Sequence, residues 1–164
     1  MRVLGVDPGL GRTGYAVVDG SAGRLRLLAA GRIDTEANTD IGARLVALSE
    51  MLGAVMAGCS PDAAAVEQLF FSTNRRTAMQ VAEARGVILF AVARAGIPVA
   101  EYTPAQVKQA VCGYGGADKQ QVTRMTRALL ALEGNRDDVA DACAIAVCHH
   151  HRARLSALVQ AAGR

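Results

Sequence analysis

The sequence lacks the features that mark several specialised classes of protein. It has no tryptophan, and its four cysteines show no C-x-x-C spacing: Cys59, Cys112, Cys143 and Cys148. Neither a disulfide framework nor a cysteine zinc site is indicated, which favours a reducing cytosol. Asp7 interrupts the only apolar stretch near the N-terminus, and no later run is expected to reach membrane-spanning length. We therefore expect a soluble, cytoplasmic protein that does not enter a membrane.

The chain has the length and composition of one α/β domain. It contains 164 residues, of which 51% are hydrophobic, and its net charge of +3 is too small to indicate nucleic-acid binding by itself. A single domain over 1–164 is predicted, with a flexible tail from about residue 152. The patterns predict strands at 3–7, 13–19, 25–33, 62–68 and 97–103, and helices at 40–58, 77–96, 104–113, 119–134 and 136–155. This order predicts a mixed five-stranded sheet with helices packed on it.

A glycine-rich stretch, VDPGLGRTG, follows the first predicted strand. Gly9, Gly11 and Gly14 match the G-x-G-x-x-G pattern of dinucleotide-binding turns, and Asp34 lies at about the expected distance downstream. That reading requires a helix to begin at the third glycine, whereas YAVVDG follows and indicates a strand. We interpret the glycines as a hairpin turn that can approach a phosphate, and a nucleotide-binding enzyme remains the less favoured alternative.

Four carboxylates are predicted to meet at one edge of the sheet. Asp7 ends the first strand and Glu67 ends the strand AAAVE, so both emerge at the same edge if these strands are parallel neighbours. Asp138 and Asp141 are three residues apart on the last helix and share a face with Ile145, which we expect to pack on the sheet. Four acids this close would repel one another unless a cation bound them.

The donor atoms indicate which cation these acids would hold. Oxygen ligands without histidine or cysteine suit Mg²⁺ or Mn²⁺, and four carboxylates suffice for two ions. Paired ions are a recurring device for phosphodiester cleavage, in which one activates the attacking water and the other stabilises the leaving oxygen. We expect Asp7 to bridge both ions, Glu67 and Asp138 to hold one each, and Asp141 to complete the site.

Each acid also has a simpler explanation. Asp7 could cap the turn, Glu67 could pair with Arg85, and Asp138 and Asp141 could be acids favoured by the helix dipole. Glu101 also ends a predicted strand, but we leave it outside the site because a strand-to-helix turn follows it.

Several motifs together resemble a known family. They are GVDPGLGRTGYAVVD, VEQLFFSTN, ARGVI, EYTPAQVKQAVCGYGGADKQQV and DDVADACAIAVCH, and they span residues 2 to about 150. The chain resembles the bacterial RuvC Holliday-junction resolvases. This resemblance implies a ribonuclease-H-like fold, a homodimer, and Mg²⁺-dependent paired nicking of four-way DNA junctions. It maps an acidic tetrad onto the four residues already selected, Asp7, Glu67, Asp138 and Asp141.

The resemblance also implies DNA-binding residues. Lys108 and Lys119 correspond to conserved lysines, and Lys119 begins a helix after a glycine-rich loop, where it could reach a phosphate. Phe70 corresponds to an aromatic residue that stacks on unpaired bases, and Arg75 and Arg76 would meet phosphates. Without the resemblance, solvent-exposed surface charge would be the favoured interpretation of both lysines.

Further expectations concern partners and the C-terminal region. The predicted helix 77–96 is more apolar than one buried face requires, so it is expected to supply much of a dimer interface. The resemblance implies RuvA and RuvB as partner proteins. The run His149–His151 is interpreted as a solvated helix end, because consecutive helical residues cannot share one ion. A junction-binding protein of the same fold without activity remains the other alternative.

Overall fold

The computed structural model describes residues 1–21, 23–68, 75–134 and 136–162, and the side chains of 75–77 are not part of the description. Its elements are β1 (Arg2–Asp7), β2 (Arg12–Ser21), β3 (Arg24–Asp34), α1 (Ile41–Cys59), β4 (Ala63–Glu67), α2 (Arg75–Arg94), β5 (Val99–Tyr102), α3 (Pro104–Cys112), α4 (Lys119–Leu130) and α5 (Asp137–Ala162). The predicted order of strands and helices is confirmed.

The five strands form one mixed sheet in the order β3-β2-β1-β4-β5. The first three strands are an antiparallel meander, which their short connections favour, whereas β4 and β5 run parallel to β1. Strands β1 and β4 are central and covered on both faces, so they are almost continuously apolar, with Val3, Leu4 and Val66 fully buried. The carboxyl ends of β1, β4 and β5 therefore lie at one edge of the sheet.

Helices cover both faces of this sheet. One core contains Leu48, Leu52 and Ile88 of α1 and α2 against Leu4 and Val6, and the other joins Val3 to α3, α4 and α5. Ile145, which was predicted to pack on the sheet, is buried, as are its neighbours Ala142 and Ala146.

Helix α5 lies unusually close to β1 and β2, because glycines occupy the crossing points. A Cβ atom at Gly5 would lie 2.1 Å from the carbonyl oxygen of Ala142, and one at Gly14 would lie 2.0 Å from that of Asp138. Gly14 is thus required by the approach of the helix end that carries Asp138, and it sits inside β2 rather than at the start of a helix. The dinucleotide-binding interpretation of the glycine pattern is therefore wrong.

The histidine run differs from the sequence-based expectation. His150 is only 7% exposed, and its Nε2 lies 3.0 Å from the carbonyl oxygen of Val18. His149 Nδ1 lies 2.9 Å from the Tyr102 hydroxyl, and His151 Nδ1 lies 2.8 Å from the carbonyl oxygen of Ala110. The solvated-end interpretation is wrong because α5 continues to Ala162 and packs its middle against β2, β5 and α3.

Two helices also depart from their predicted properties. Helix α4 ends at Leu130 rather than at residue 134, because Ala131 adopts a left-handed conformation (φ 48°) and caps it. Helix α1 is long and apolar enough, by length and composition alone, to cross a membrane, contrary to expectation. Three of its residues, Leu48, Leu52 and Met56, are buried in the core on the face of the sheet that α1 covers.

Candidate active site

Two acidic residues emerge side by side at the carboxyl edge of the central strands. Strands β1 and β4 pair in parallel with Val6 opposite Val66, so the next residues, Asp7 and Glu67, leave the sheet together. Both side chains are partly buried. The predicted proximity of these acids at one sheet edge is confirmed.

The N-terminal end of α5 brings two further acids to the same place. Gly14 pairs with Asp7 across β1 and β2, and it also touches the backbone of Asp138. The side chains of Asp138 and Asp141 are 30% and 28% exposed, so both are half-buried. The contact at Gly14 therefore fixes the distance between the end of β1 and the first turn of α5.

The four carboxylates perturb one another electrostatically. Burial raises the pKa of Asp7 to about 7, and the negative charges of Asp141, Glu67 and Asp138 contribute in that order. Burial also raises the pKa values of Glu67 and Asp141, and each carboxyl experiences repulsion from other acids of the group. A perturbed cluster of this kind is typical of a functional site.

Two lysines border the acids. Lys119 Nζ lies 3.0 Å from Asp141 Oδ2, and this hydrogen bond raises the pKa of Lys119. Lys119 is held at the start of α4 by a capping box between Asp118 and Gln121. The positive charge of Lys108 opposes the rise in the pKa of Glu67. Both lysines line a groove of about 190 Å³ together with Glu67 and Asp141.

Arg32 also contacts the cluster, although no sequence motif pointed to it. Its Nη1 atom lies 3.7 Å from Asp138 Oδ2, and its Nε lies 2.9 Å from Asp34 Oδ1. Arg32 is opposite Gly14 in the β2–β3 ladder, and Gly14 is opposite Asp7. Only the register of the three-stranded meander, applied to the predicted strands, could have pointed to this residue.

The donor set fits a hard divalent cation. All four side chains offer carboxylate oxygens, and their burial and mutual repulsion are relieved by a bound positive charge. Within the described ranges, no three His, Cys, Asp or Glu side chains converge closely enough to enclose one ion. Two of the acids instead form ion pairs with basic side chains, Asp141 with Lys119 and Asp138 with Arg32. Ligation by these acids would therefore compete with the two ion pairs.

The simpler explanations of Asp7 and Glu67 do not match their contacts. Arg85 pairs with Glu101 at 2.7 Å and reaches only the backbone carbonyl of Glu67, at 3.4 Å. The glycine turn is closed by Thr13 Oγ1, which donates to the carbonyl oxygen of Gly9 at 2.6 Å. Glu101 thus has a structural partner, in keeping with its exclusion from the site.

The remaining predicted DNA contacts cannot be located. Phe70 lies outside the described residues. Arg75 and Arg76 form the start of α2, but their side chains are outside the description as well. The roles assigned to these three residues stay predictions.

Comparisons with known proteins agree on one family. Residues 3–149 match the family described as crossover junction endodeoxyribonuclease RuvC. A protein of that name from Syntrophomonas wolfei is 48% identical, over 98% of this chain and 94% of its own length. Another, from Heliobacterium modesticaldum, is 51% identical over 92% of this chain and 94% of its own length.

Solved structures give the same result. Thermus thermophilus RuvC in complex with Holliday junction substrate superposes with a TM-score of 0.89 at 36% identity, covering 95% of this chain and 96% of the other. The yeast mitochondrial Holliday junction resolvase Ydc2 superposes with a TM-score of 0.67 at 15% identity, covering 92% of this chain and 79% of the other. At that identity the second likeness shows a shared fold alone.

Proposed function

The chain belongs to the RuvC family of crossover junction endodeoxyribonucleases, and from this membership we propose that it nicks four-way DNA junctions symmetrically on two opposed strands. Its mixed five-stranded sheet with flanking helices is a ribonuclease-H-like fold. It is a DNA endonuclease that resolves Holliday junctions, an activity of homologous recombination and DNA repair. The observation that carries the assignment of the site is the convergence of Asp7 and Glu67 with the acidic end of α5.

Nucleases of this family are metal-dependent, and we propose Mg²⁺ as the ion, with Mn²⁺ able to substitute. Asp7, Glu67, Asp138 and Asp141 would hold the ions, two per subunit, because an all-oxygen donor set suits Mg²⁺ and four carboxylates suffice for two ions. The ions would activate water for in-line attack on the phosphodiester and stabilise the leaving oxygen. The protein supplies the arrangement of carboxylates, whose mutual repulsion favours cation binding.

Lys119 and Lys108 are proposed to bind the phosphate next to the acids. Lys119 begins α4 and hydrogen-bonds Asp141, so its ammonium group lies at the boundary between the acids and solvent. From this position Lys119 would bind an anionic phosphate oxygen and stabilise the charge that develops on it during cleavage. Phe70 is proposed to stack on unpaired bases at the crossover, with Arg75 and Arg76 on neighbouring phosphates.

A homodimer is proposed because a four-way junction has two-fold symmetry and requires two cuts. The outward face of α2 supports it: Met79 is 66% exposed and Phe90 is 63% exposed, with Ala82 and Gly86 between them. Phe90→Glu should convert the dimer to a monomer in sedimentation at micromolar concentration, whereas a wild-type monomer under these conditions would contradict the proposal. Cytoplasmic location and cooperation with RuvA and RuvB are further proposals based on the family.

The function is tested by a nuclease assay on a four-way junction and on linear duplex, with and without Mg²⁺. We expect the wild-type protein to cut the junction in Mg²⁺ only, with paired nicks on opposed strands. Asp7→Asn should bind the junction and leave it intact, and Asp62→Asn, at the opposite end of the sheet, should cut it normally. Cleavage by Asp7→Asn in Mg²⁺ would contradict the site, and junction binding without cleavage by the wild type would favour a non-catalytic protein.

A further inference from the structure

A second groove adjoins the candidate active site on the outer side of α4. Its volume is about 730 Å³, and its lining consists of Lys119, Gln120, Thr123, Arg124, Arg127 and Asp137. Lys119 also lines the groove that contains Glu67 and Asp141. The two grooves therefore share the lysine that contacts the acidic cluster.

The polar lining follows from the helical period of α4. Gln120, Thr123 and Arg124 recur at the three- and four-residue spacing that places side chains on one helix face. Val122, Thr126 and Leu130 are the buried residues of the helix and occupy a different face. The exposed apolar residues of α4, Met125 and Leu129, fall outside the lining of this groove. The face of α4 that lines this groove is consequently polar and cationic.

Arg124 stands out among the arginines described near the site. Arg85 pairs with Glu101, and Arg32 pairs with Asp34 and reaches Asp138. Arg124 is exposed, and within the part of the chain that the structure describes no carboxylate lies within 4.0 Å of it. Its charge is thus available to an anion that enters the groove.

We propose that Gln120, Thr123 and Arg124, here called the α4 track, bind the phosphate backbone of the DNA arm next to the cleaved bond. The inference rests on the proposed function and extends its DNA contacts beyond Lys119. From Lys119 to Arg127 the helix rises about 12 Å, which matches roughly two to four successive phosphates of one strand. Cationic and hydrogen-bonding groups without apolar contacts are what a phosphate backbone requires, and the Lys119 shared with the site identifies the substrate as the occupant.

The salt dependence of junction binding tests the track. Each phosphate contact contributes about 0.9 to the slope of log K against log salt concentration. In buffer without divalent ions, Arg124→Ala should lower that slope by about 0.9 and weaken binding about 3- to 10-fold at 0.1 M salt. Arg24→Ala removes the same charge from the β2–β3 hairpin, far from the acids, and should leave the slope unchanged. Arg124→Lys should restore the wild-type slope.

A second measurement locates the contact. Single phosphates within about four nucleotides of the cut are replaced by uncharged methylphosphonates. At one or two positions the replacement should weaken binding by the wild type but not by Arg124→Ala, because the contact is already absent. An unchanged slope in Arg124→Ala, or a decrease equal to that of Arg24→Ala, would overturn the proposal. This outcome is distinct from failure of the proposed function, in which the wild type would not cut the junction in Mg²⁺.

Discussion

The two ends of strands β1 and β4 both carry charged residues but differ in how those charges are satisfied. At the amino end, the Arg2 backbone N–H donates to Asp62 Oδ2 at 2.7 Å, and its guanidinium donates to the Cys59 carbonyl oxygen at 2.9 Å. At the carboxyl end, two acids, Asp7 and Glu67, stand together with raised pKa values. At the amino end, the charged side chains are hydrogen-bonded to backbone groups. At the carboxyl end, two carboxylates of the same charge lie side by side.

Helix α5 repeats this contrast along its length. Its first turn carries acids into the cluster, whereas His150 in its middle is bonded to β2 beside the amino end of the sheet. The two ends therefore differ in role. The bonds at the amino end of the sheet contribute to stability, whereas the carboxylates at its carboxyl end repel one another, and a bound cation would relieve this repulsion.

The largest expected effect separates Glu67 from Glu101, which end neighbouring strands. Glu67→Gln should lower the single-turnover cleavage rate by about a thousandfold or more, because it removes a proposed metal ligand. Glu101→Gln weakens only the ion pair with Arg85, so its cleavage rate should remain within about threefold of wild type. Comparable losses in the two variants would remove the distinction between the strand ends.

Next in size is the effect of a methyl group at Gly14. Gly14→Ala forces α5 away from β2, which should destabilise the protein by about 3 kcal/mol and displace Asp138. We expect thermal unfolding to begin about 6–12 °C lower, with a reduced cleavage rate. Gly53→Ala provides the control, since a methyl group there meets open space in α1. A Gly14→Ala protein as stable and active as wild type would contradict the close approach.

Lys119→Ala should produce a smaller and more selective change. Loss of an ammonium group that stabilises developing charge should slow cleavage about a hundredfold. Junction affinity should fall only a few-fold, because the DNA retains its other cationic contacts. The rates are measured with saturating protein, and affinities in buffer without divalent ions. Equal losses of affinity and of rate would make Lys119 a binding residue only.

The smallest effect concerns stability without metal. Because the pKa of Asp7 is raised to about 7 in the folded protein, its neutral form stabilises the fold at acidic pH, and this contribution is lost as pH rises through about 7. The unfolding temperature of Asp7→Asn should therefore equal that of wild type near pH 4 and exceed it by about 4–8 °C at pH 8, measured in the presence of a chelator. Asp62→Asn should instead lower the unfolding temperature by weakening the bond to Arg2. A lower unfolding temperature for Asp7→Asn at pH 8 would contradict the raised pKa.

The parts of the site that follow local rules could be predicted from the sequence. Two apolar strands that each end in an acid, once paired in parallel, must bring Asp7 and Glu67 together, and the spacing of Asp138 and Asp141 places both on one helix face. Gly14 was noticed for a pattern that had no bearing on its role. It is required by the close approach of helix α5 to strand β2, which no local pattern encodes.

The contacts that could not be predicted from the sequence depend on tertiary packing. The pairing of Arg85 with Glu101 rather than Glu67 depends on the position of α2 over β4 and β5. The contact between Arg32 and Asp138 depends on strand register, and the burial of His150 depends on the packing of α5 against β2. Each involves residues far apart in the chain, for which periodicity and spacing carry no information.

The central claim is that Asp7 is the centre of a divalent-cation site at the carboxyl end of β1. Calorimetric titration of Mg²⁺ into metal-free protein between pH 6 and 8, in buffers of different ionisation enthalpy, tests it most directly. We predict saturable binding with proton release that diminishes as pH rises through about 7, present in Asp62→Asn and lost in Asp7→Asn. Wild-type affinity and proton release in Asp7→Asn would contradict the account.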